Sequence, residues 1–331
     1  MKASNPLTAL LVSLLLAATS CSTAAPPASR DQADPQPLPG TRLTLEELQK
    51  QAKRASAGRR LKPAGWPNGA RVAVGLSFDV DNATGALSRG DLGSEVQSRG
   101  EYGAVDGLPR ILRLLDKHAV PASFFIPAVS AALHPEMIPA IQASNRHEIG
   151  VHGWIHEDLS VLNNETEERR LLNQSIELLA KVTGRKPVGY RAPSWRFSQY
   201  TMQTVKDAGF LYDSSLMASD DAYEILLNGE PSGVVELPIE RIVDDAPYFG
   251  AASGSLPSPS LVGAIFQSEF DVAYEEGGLY ILTMHPHVMG HRSRVAELER
   301  LIVHMKSRPG VWFATHEQIA LHVKNVATTQ P

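Results

Sequence analysis

The stretch "VAVGLSFDVD", residues 72–81, decides how the rest of the chain is read. An apolar run closes at Phe78, and two carboxylates follow one residue apart, Asp79 and Asp81. Such a run is a core strand, and its burial ends where the acids begin. Two acids at the end of a buried strand call for a reason beyond ending the strand.

The neighbouring segments follow one alternating pattern. Residues 108–118 have helical spacing, 122–126 read as a strand, 135–145 as a helix, and 148–152 as a short strand closing on His152. Residues 166–183 form a long amphipathic helix ended by Gly184, 188–191 a strand closing on Arg191, and 199–208 a helix. Further strands are expected at 210–213, 234–238, 279–284 and 311–315, with no internal repeat. Regular β/α alternation indicates an α/β fold built on a parallel sheet or a (β/α) barrel. In a barrel the C-terminal strand ends meet at one mouth, where active sites sit. Asp79 and Asp81, His152, Arg191 and His285 each fall at such an end, so separate segments deliver them to one place.

Ahead of this domain the composition changes. Lys2 and an apolar core at 7–18 form a signal peptide too short to span a bilayer. It ends in "LAATSC", which resembles a bacterial lipoprotein signal with Cys21 as the lipidated first residue of the mature chain. Ordinary secretion with cleavage near "STAA" is the alternative. The expected organisation is a signal at 1–21, a disordered linker with an extension helix at 22–65, and a catalytic domain at 66–331. The linker is Pro-, Ala- and Ser-rich at 22–40, and "LTLEELQKQAKRA" within 43–58 carries the helical spacing. The protein is expected to be exported, facing the periplasm or cell exterior, and to touch membrane only through its lipid anchor.

Composition fits a globular domain with a sizeable core: 331 residues, 43% hydrophobic and 20% charged. A formal net charge of -5 gives no sign of nucleic-acid binding. One cysteine excludes an internal disulfide and a multi-cysteine metal site.

The chemistry then follows from residue types. "HGWIH" sets His152 and His156 four apart, so that on a helical turn both rings share a face. Among 11 histidines this spacing also arises by chance, with one ring buried and one exposed. A carboxylate at a neighbouring strand end turns the pair into a candidate divalent-metal site with a position open for water. Without thiolates Zn²⁺ is the expected ion, and Co²⁺, Ni²⁺ or Mn²⁺ also suit such ligands. One Asp of the pair then holds the metal while the other takes a proton from water, and His285 protonates a leaving amine. Residues 244–261 are Gly/Pro/Ser-rich and read as a long loop, with Tyr248 and Phe249 placed to stack on a substrate ring.

The ordered set "SFDVD", "HGWIH", "YRAPSW", "YDSSL" and "LTMHP" resembles the polysaccharide deacetylases, the NodB-like carbohydrate esterase family 4, over residues 71–320. It is nearest the branch with Helicobacter-type peptidoglycan deacetylase and the metal-independent allantoinase-like proteins, which share Asp-x-Asp. The resemblance implies a distorted (β/α) barrel and hydrolysis of N-acetyl (or O-acetyl) groups on an amino-sugar polymer. It implies Asp79 as base, Asp81, His152 and His156 as metal ligands, and Arg191 as the group orienting the base. It likewise implies His285 as general acid, the Ser194 N–H in an oxyanion hole, and Trp195 and Leu216 lining a groove. The residue between the two acids leaves an exchange of roles between Asp79 and Asp81 open. A hydrolase of small cyclic amides or imides is the alternative activity, and a non-catalytic glycan-binding lipoprotein a third reading. His287 is expected to point away from His285 by strand alternation. His291, His304 and His316 are expected to be surface or structural.

Overall fold

The computed structural model describes residues 39–250, 254 and 256–329. The leader, Cys21 and the linker up to residue 38 lie outside the described residues. Two compact units divide after Leu45, and the described part of the first contains a 3₁₀ turn at Pro39–Arg42. The second contains every described strand.

Its single sheet has ten strands: β1 Ala55–Arg60, β2 Val72–Asp79, β3 Ser123–Ile126, β4 Glu148–Val151, β5 Gly189–Tyr190, β6 Tyr212–Asp213, β7 Tyr223–Leu227, β8 Glu230–Glu236, β9 Leu279–Met284 and β10 Val311–Ala314. The order is β1-β7-β8-β6-β5-β4-β3-β2-β10, with β9 also paired to β2. Strands β2 to β6, β8, β9 and β10 pair in parallel, while β1, β7 and β8 form an antiparallel flap at one end. An isolated parallel bridge, Asp244 to Thr283, brings the chain leaving β8 beside β9 and draws the curled sheet toward closure. This is the α/β, distorted (β/α) barrel expected from the sequence.

All eight residues of β2 are buried, and the strand is flanked on both sides, by β9 and by β3 and β10. Burial of both its faces explains why the strand reads as a continuous apolar run rather than an alternating one. Inside the barrel, Phe125, Tyr212 and His316 pack ring against ring, and the Arg191 guanidinium lies 4.2 Å over Phe125.

Three expected boundaries change. The sheet begins before Trp66: β1 pairs with β7 from Ala55 to Arg60, and the helix expected across 43–58 is confined to Leu45–Ala52. Within 244–261, Ala246–Phe249 is a helical turn and a long helix, Pro259–Glu276, starts at Pro259. The helix expected at 108–118 is the last part of one unbroken run: an α-helix Ser94–Tyr102, a π-turn Gly103–Gly107 and an α-helix Leu108–His118.

That run carries three glycines, Gly100, Gly103 and Gly107, on its contact face. A β-carbon at Gly100 would overlap the backbone of Ala83 and one at Gly107 the carbonyl of Pro286. One at Gly103 would sit 2.5 Å from Asn82 Oδ1 and 3.0 Å from His287 Cβ. The helix therefore touches, backbone to backbone, both the loop after β2 and the loop after β9.

Candidate active site

Asp79 ends β2, and Asp81 follows two residues later. His152 directly follows β4, Arg191 follows β5, Ser214 follows β6 and His285 follows β9. The parallel sheet thus gathers these side chains at one mouth. Asp79, His152 and Arg191 are at most 1% exposed, and Asp81 and His285 are also buried.

Asp81 faces two histidines. Its Oδ1 lies 3.4 Å from His152 Nε2 and its Oδ2 3.5 Å from His156 Nε2. Ligands about 2.1 Å from one tetrahedral ion are separated by about 3.4 Å, which matches these distances. Asp81 Oδ1 is buried and has no hydrogen-bond partner among the described residues, as a carboxylate reserved for a cation requires. His152 Nδ1–H donates to the Arg191 carbonyl at 2.9 Å, turning the Nε2 lone pair toward Asp81. Burial lowers the pKa of His152, and that of His156 to about 4, keeping both rings in the neutral, ligating form. Burial raises Asp81, against the pull of His152 and His285. The three residues fit a divalent cation in donor type, spacing and orientation.

The expected helical turn for "HGWIH" is not formed. Gly153 and His156 both take left-handed φ, 74° and 60°, so the chain reverses and brings His156 back beside His152. Glu157 holds this loop by accepting hydrogen bonds from the Trp154 and Ile155 N–H groups. The ring centroids end 5.1 Å apart.

Asp79 belongs to a different partner. Arg191 Nη1 donates to Asp79 Oδ1 at 2.8 Å, and Asp79 Oδ2 stays 3.7 Å from His152 Nε2 and 3.9 Å from His285 Nε2. The guanidinium is itself fixed by bonds to the Ser214 carbonyl, Ser214 Oγ and Ser77 Oγ. Burial pushes the Asp79 carboxyl up, but Arg191, His152 and His285 together hold it below the usual carboxylate value. It is an ionised carboxylate at neutral pH.

His285 is gripped by a residue that the sequence reading left unassigned. Asp245 Oδ1 accepts from His285 Nδ1–H at 2.7 Å, and Asp245 Oδ2 accepts from the His285 backbone N–H at 3.0 Å. Burial alone would lower the imidazole pKa; Asp245, then Asp244 and Asp81, raise it well above the ordinary value. His285 Nε2 is left 3.8 Å from Asp81 Oδ2, on the side facing the acid pair. Asp244, Asp245 and His285 also have the make-up of a metal cluster, but both Asp245 oxygens are already engaged with His285. Burial raises Asp244 to about 7. Two adjacent acids at the head of the Gly/Pro/Ser-rich loop were the available signal for Asp245.

The remaining expected residues are placed as follows. Ser194 is exposed at φ 52°, and the hydrogen bonds of its turn, Trp195 N to Ala192 O and Arg196 N to Pro193 O, leave its N–H out. Trp195 is half-buried against the apolar cluster that includes Phe125 and Tyr212. Leu216 lines a separate depression with Phe197 and Met202, and Tyr248 turns to Phe266 and the Ile242 carbonyl. These three are not among the described residues lining the cleft beside Asp81 and His156, where Phe249 stands instead. His287 does line it: the strand ends at Met284 and a helical turn, Pro286–Met289, follows, so strand alternation no longer applies. His316 is fully buried against Arg191, a structural position.

The sequence profile of the polysaccharide deacetylase family matches residues 100–212. The peptidoglycan deacetylase of Helicobacter pylori is 30% identical over 282 residues, 75% of this chain and 95% of that protein. A crystal structure from Mycobacterium smegmatis described as a polysaccharide deacetylase is 36% identical with a TM-score of 0.75, covering 83% of this chain and 97% of that one. A crystal structure of an allantoinase has a TM-score of 0.70 at 26% identity, covering 81% of this chain and 94% of the other.

Proposed function

The chain belongs to the polysaccharide deacetylase family, hydrolases of carbon–nitrogen bonds other than peptide bonds, and from that premise we propose a metal-assisted deacetylation on an envelope glycan such as peptidoglycan. The observation that carries the reading is the division of labour at the mouth. Asp81 pairs with the two histidines, Asp79 with Arg191, and His285 with Asp245. A divalent ion held by Asp81, His152 and His156, Zn²⁺ by its ligand types, would polarise the acyl carbonyl and acidify a bound water. Asp79, kept ionised by Arg191, takes the proton from the attacking water. The Ser194 N–H supplies a donor to the developing oxyanion. His285 enters protonated, held in orientation through Nδ1 by Asp245, and gives the Nε2 proton to the departing amine. The Arg191 bond to Asp79 alone supports the order base Asp79 and ligand Asp81 over the exchanged roles. The leader and Cys21 motivate export and anchoring outside the cytoplasm.

The test is acetate release from N-acetylglucosamine oligomers and peptidoglycan, with bound metal measured on the same samples. Release should stop with chelator and return with Zn²⁺, and His156→Ala should lower metal affinity by about 100-fold or more. Full release from a metal-free chain would sink the proposal. The likeness to the allantoinase favours, as second reading, hydrolysis of a small cyclic amide. Turnover of cyclic imides without acetate release from any glycan would select it.

A further inference from the structure

Beside the candidate metal ligands a cleft of about 930 Å³ opens to solvent. Its described lining includes Arg89, Arg99, Arg294, His287 and His291, and a single carboxylate, Asp81. Asp81 is the residue a cation would occupy, so the cleft presents positive charge in a chain whose formal net charge is -5. We propose that this cleft is a subsite for a carboxylate carried by the substrate next to the scissile acyl–amine bond. The proposal rests on the deacylation reading above and adds to it the charge of the substrate.

Two of the three arginines, Arg89 and Arg99, are weakly engaged, and the third is fixed at the cleft wall. The Arg89 guanidinium has no partner among the described residues, and it reaches the flank of a candidate ligand. A methyl group at Gly85 would lie 3.7 Å from Arg89 Nη1 and 3.4 Å from His156 Nδ1. Among the described residues Arg99 pairs only with Glu95 one turn away, and both are exposed, which makes that pair weak and exchangeable. Its backbone is fixed by Gly100, which sits directly on the Asn82–Ala83 loop. Arg294 is anchored: Nη1 donates to the Val288 carbonyl at 2.6 Å and the guanidinium lies 4.3 Å over the Phe249 ring. His287 adds a buried Nδ1 with no partner among the described residues. An uncharged amino sugar would meet none of these cations with a complementary charge, whereas a carboxylate meets a guanidinium in a paired, charge-assisted geometry.

Two sources share this chemistry: the lactyl carboxylate of a muramic-type sugar and the carboxylate of a small ureido acid. Calorimetry on the full, Zn²⁺-loaded chain separates them with three ligands. These are N-acetylglucosaminyl-N-acetylmuramic acid, its neutral counterpart diacetylchitobiose, and N-carbamoylglycine. At low salt the muramic disaccharide should bind about tenfold more tightly than diacetylchitobiose. In the double variant Arg89→Gln, Arg99→Gln the preference should shrink to about twofold or less, and added salt should erode it in the unmodified chain. If N-carbamoylglycine binds in the same Arg-dependent way and the muramic disaccharide does not, the small acid is the source. Equal binding of the charged and neutral ligands, or a preference that survives the double variant, overturns the subsite. Acetate release by the unmodified chain reads the deacetylase proposal separately. Release without charge preference removes only the subsite, and preference without release removes only the deacetylase reading.

Discussion

Replacing Arg191 by Met keeps an unbranched chain of similar reach and removes the charge that holds Asp79. The pair is almost fully dry, with side chains 0% and 2% exposed and Nη1 to Oδ1 at 2.8 Å. At that distance and an effective dielectric constant near 20, the attraction is about 6 kcal/mol. Desolvation of both ions cancels much of this, and breaking a buried pair from one side costs about 3–5 kcal/mol. Acceptors abandoned at the Ser214 carbonyl and Ser77 Oγ add about 1 kcal/mol. The expected loss is therefore about 4–6 kcal/mol by urea unfolding of the metal-free chain at about pH 8. In the parent chain the Asp79 pKa is depressed below 3.8, so its contribution is present above that value and is lost as pH falls through the folded pKa. In the variant, burial without Arg191 raises the pKa, so the carboxylate destabilises at high pH and is relieved by protonation as pH falls. The gap between parent and variant should narrow between about pH 8 and pH 5. The double variant Arg191→Met, Asp79→Asn should recover about 2–3 kcal/mol at the higher pH, because no charge is left stranded. An equal loss at both pH values, with no recovery in the double variant, would show that Arg191 acts by packing and not by charge.

Three further outcomes are expected. Asp245→Asn removes the largest influence that raises the His285 pKa. The protonated acid is then lost at lower pH, so the alkaline limb of kcat/KM should move down by about one unit or more, while an unmoved limb would detach His285 from that limb. His285 also contributes stability in full below its unfolded value of 6.5, lost as pH rises through the raised folded pKa, and that dependence should weaken in the same variant. For the leader, labelled fatty acid should be incorporated into the chain expressed in a bacterium and be absent from Cys21→Ala, whereas equal labelling of both would remove Cys21 as the anchor.

The parts of the site legible in the sequence are those attached to strand ends. A buried parallel strand is an uninterrupted apolar run, so the first polar residue after it marks the mouth, and Asp79, His152, Arg191 and His285 all carry that mark. His156 was found by its spacing but for a reason the structure replaces. Two left-handed residues bring it back, and a left-handed φ leaves no trace in hydrophobic periodicity. Asp245 was hidden because its carboxylate works across the sheet on His285, and nothing in a loop's composition reveals a partner 40 residues away. Strand β1, "ASAGRR", lacks both β-branched residues and alternation, and it exists because β7 offers it an edge. The Asn228–Gly229 pair between β7 and β8, with φ of 54° and 88°, is a hairpin signal in the sequence, and β7 is absent from the expected strands.

The glycine face at Gly100, Gly103 and Gly107 has a consequence for how the molecule varies over time. The loop bearing Asp81 and the loop following His285 both rest on the bare backbone of one helix. Their separation is thus gauged by peptide groups, whose dimensions do not change when side chains are exchanged. The gauge therefore sets the spacing between the Asp81 loop and the turn after His285. A single added methyl group on that face acts as a shim between them. The helix works as a ruler for the reaction, and its three blank positions are the graduations.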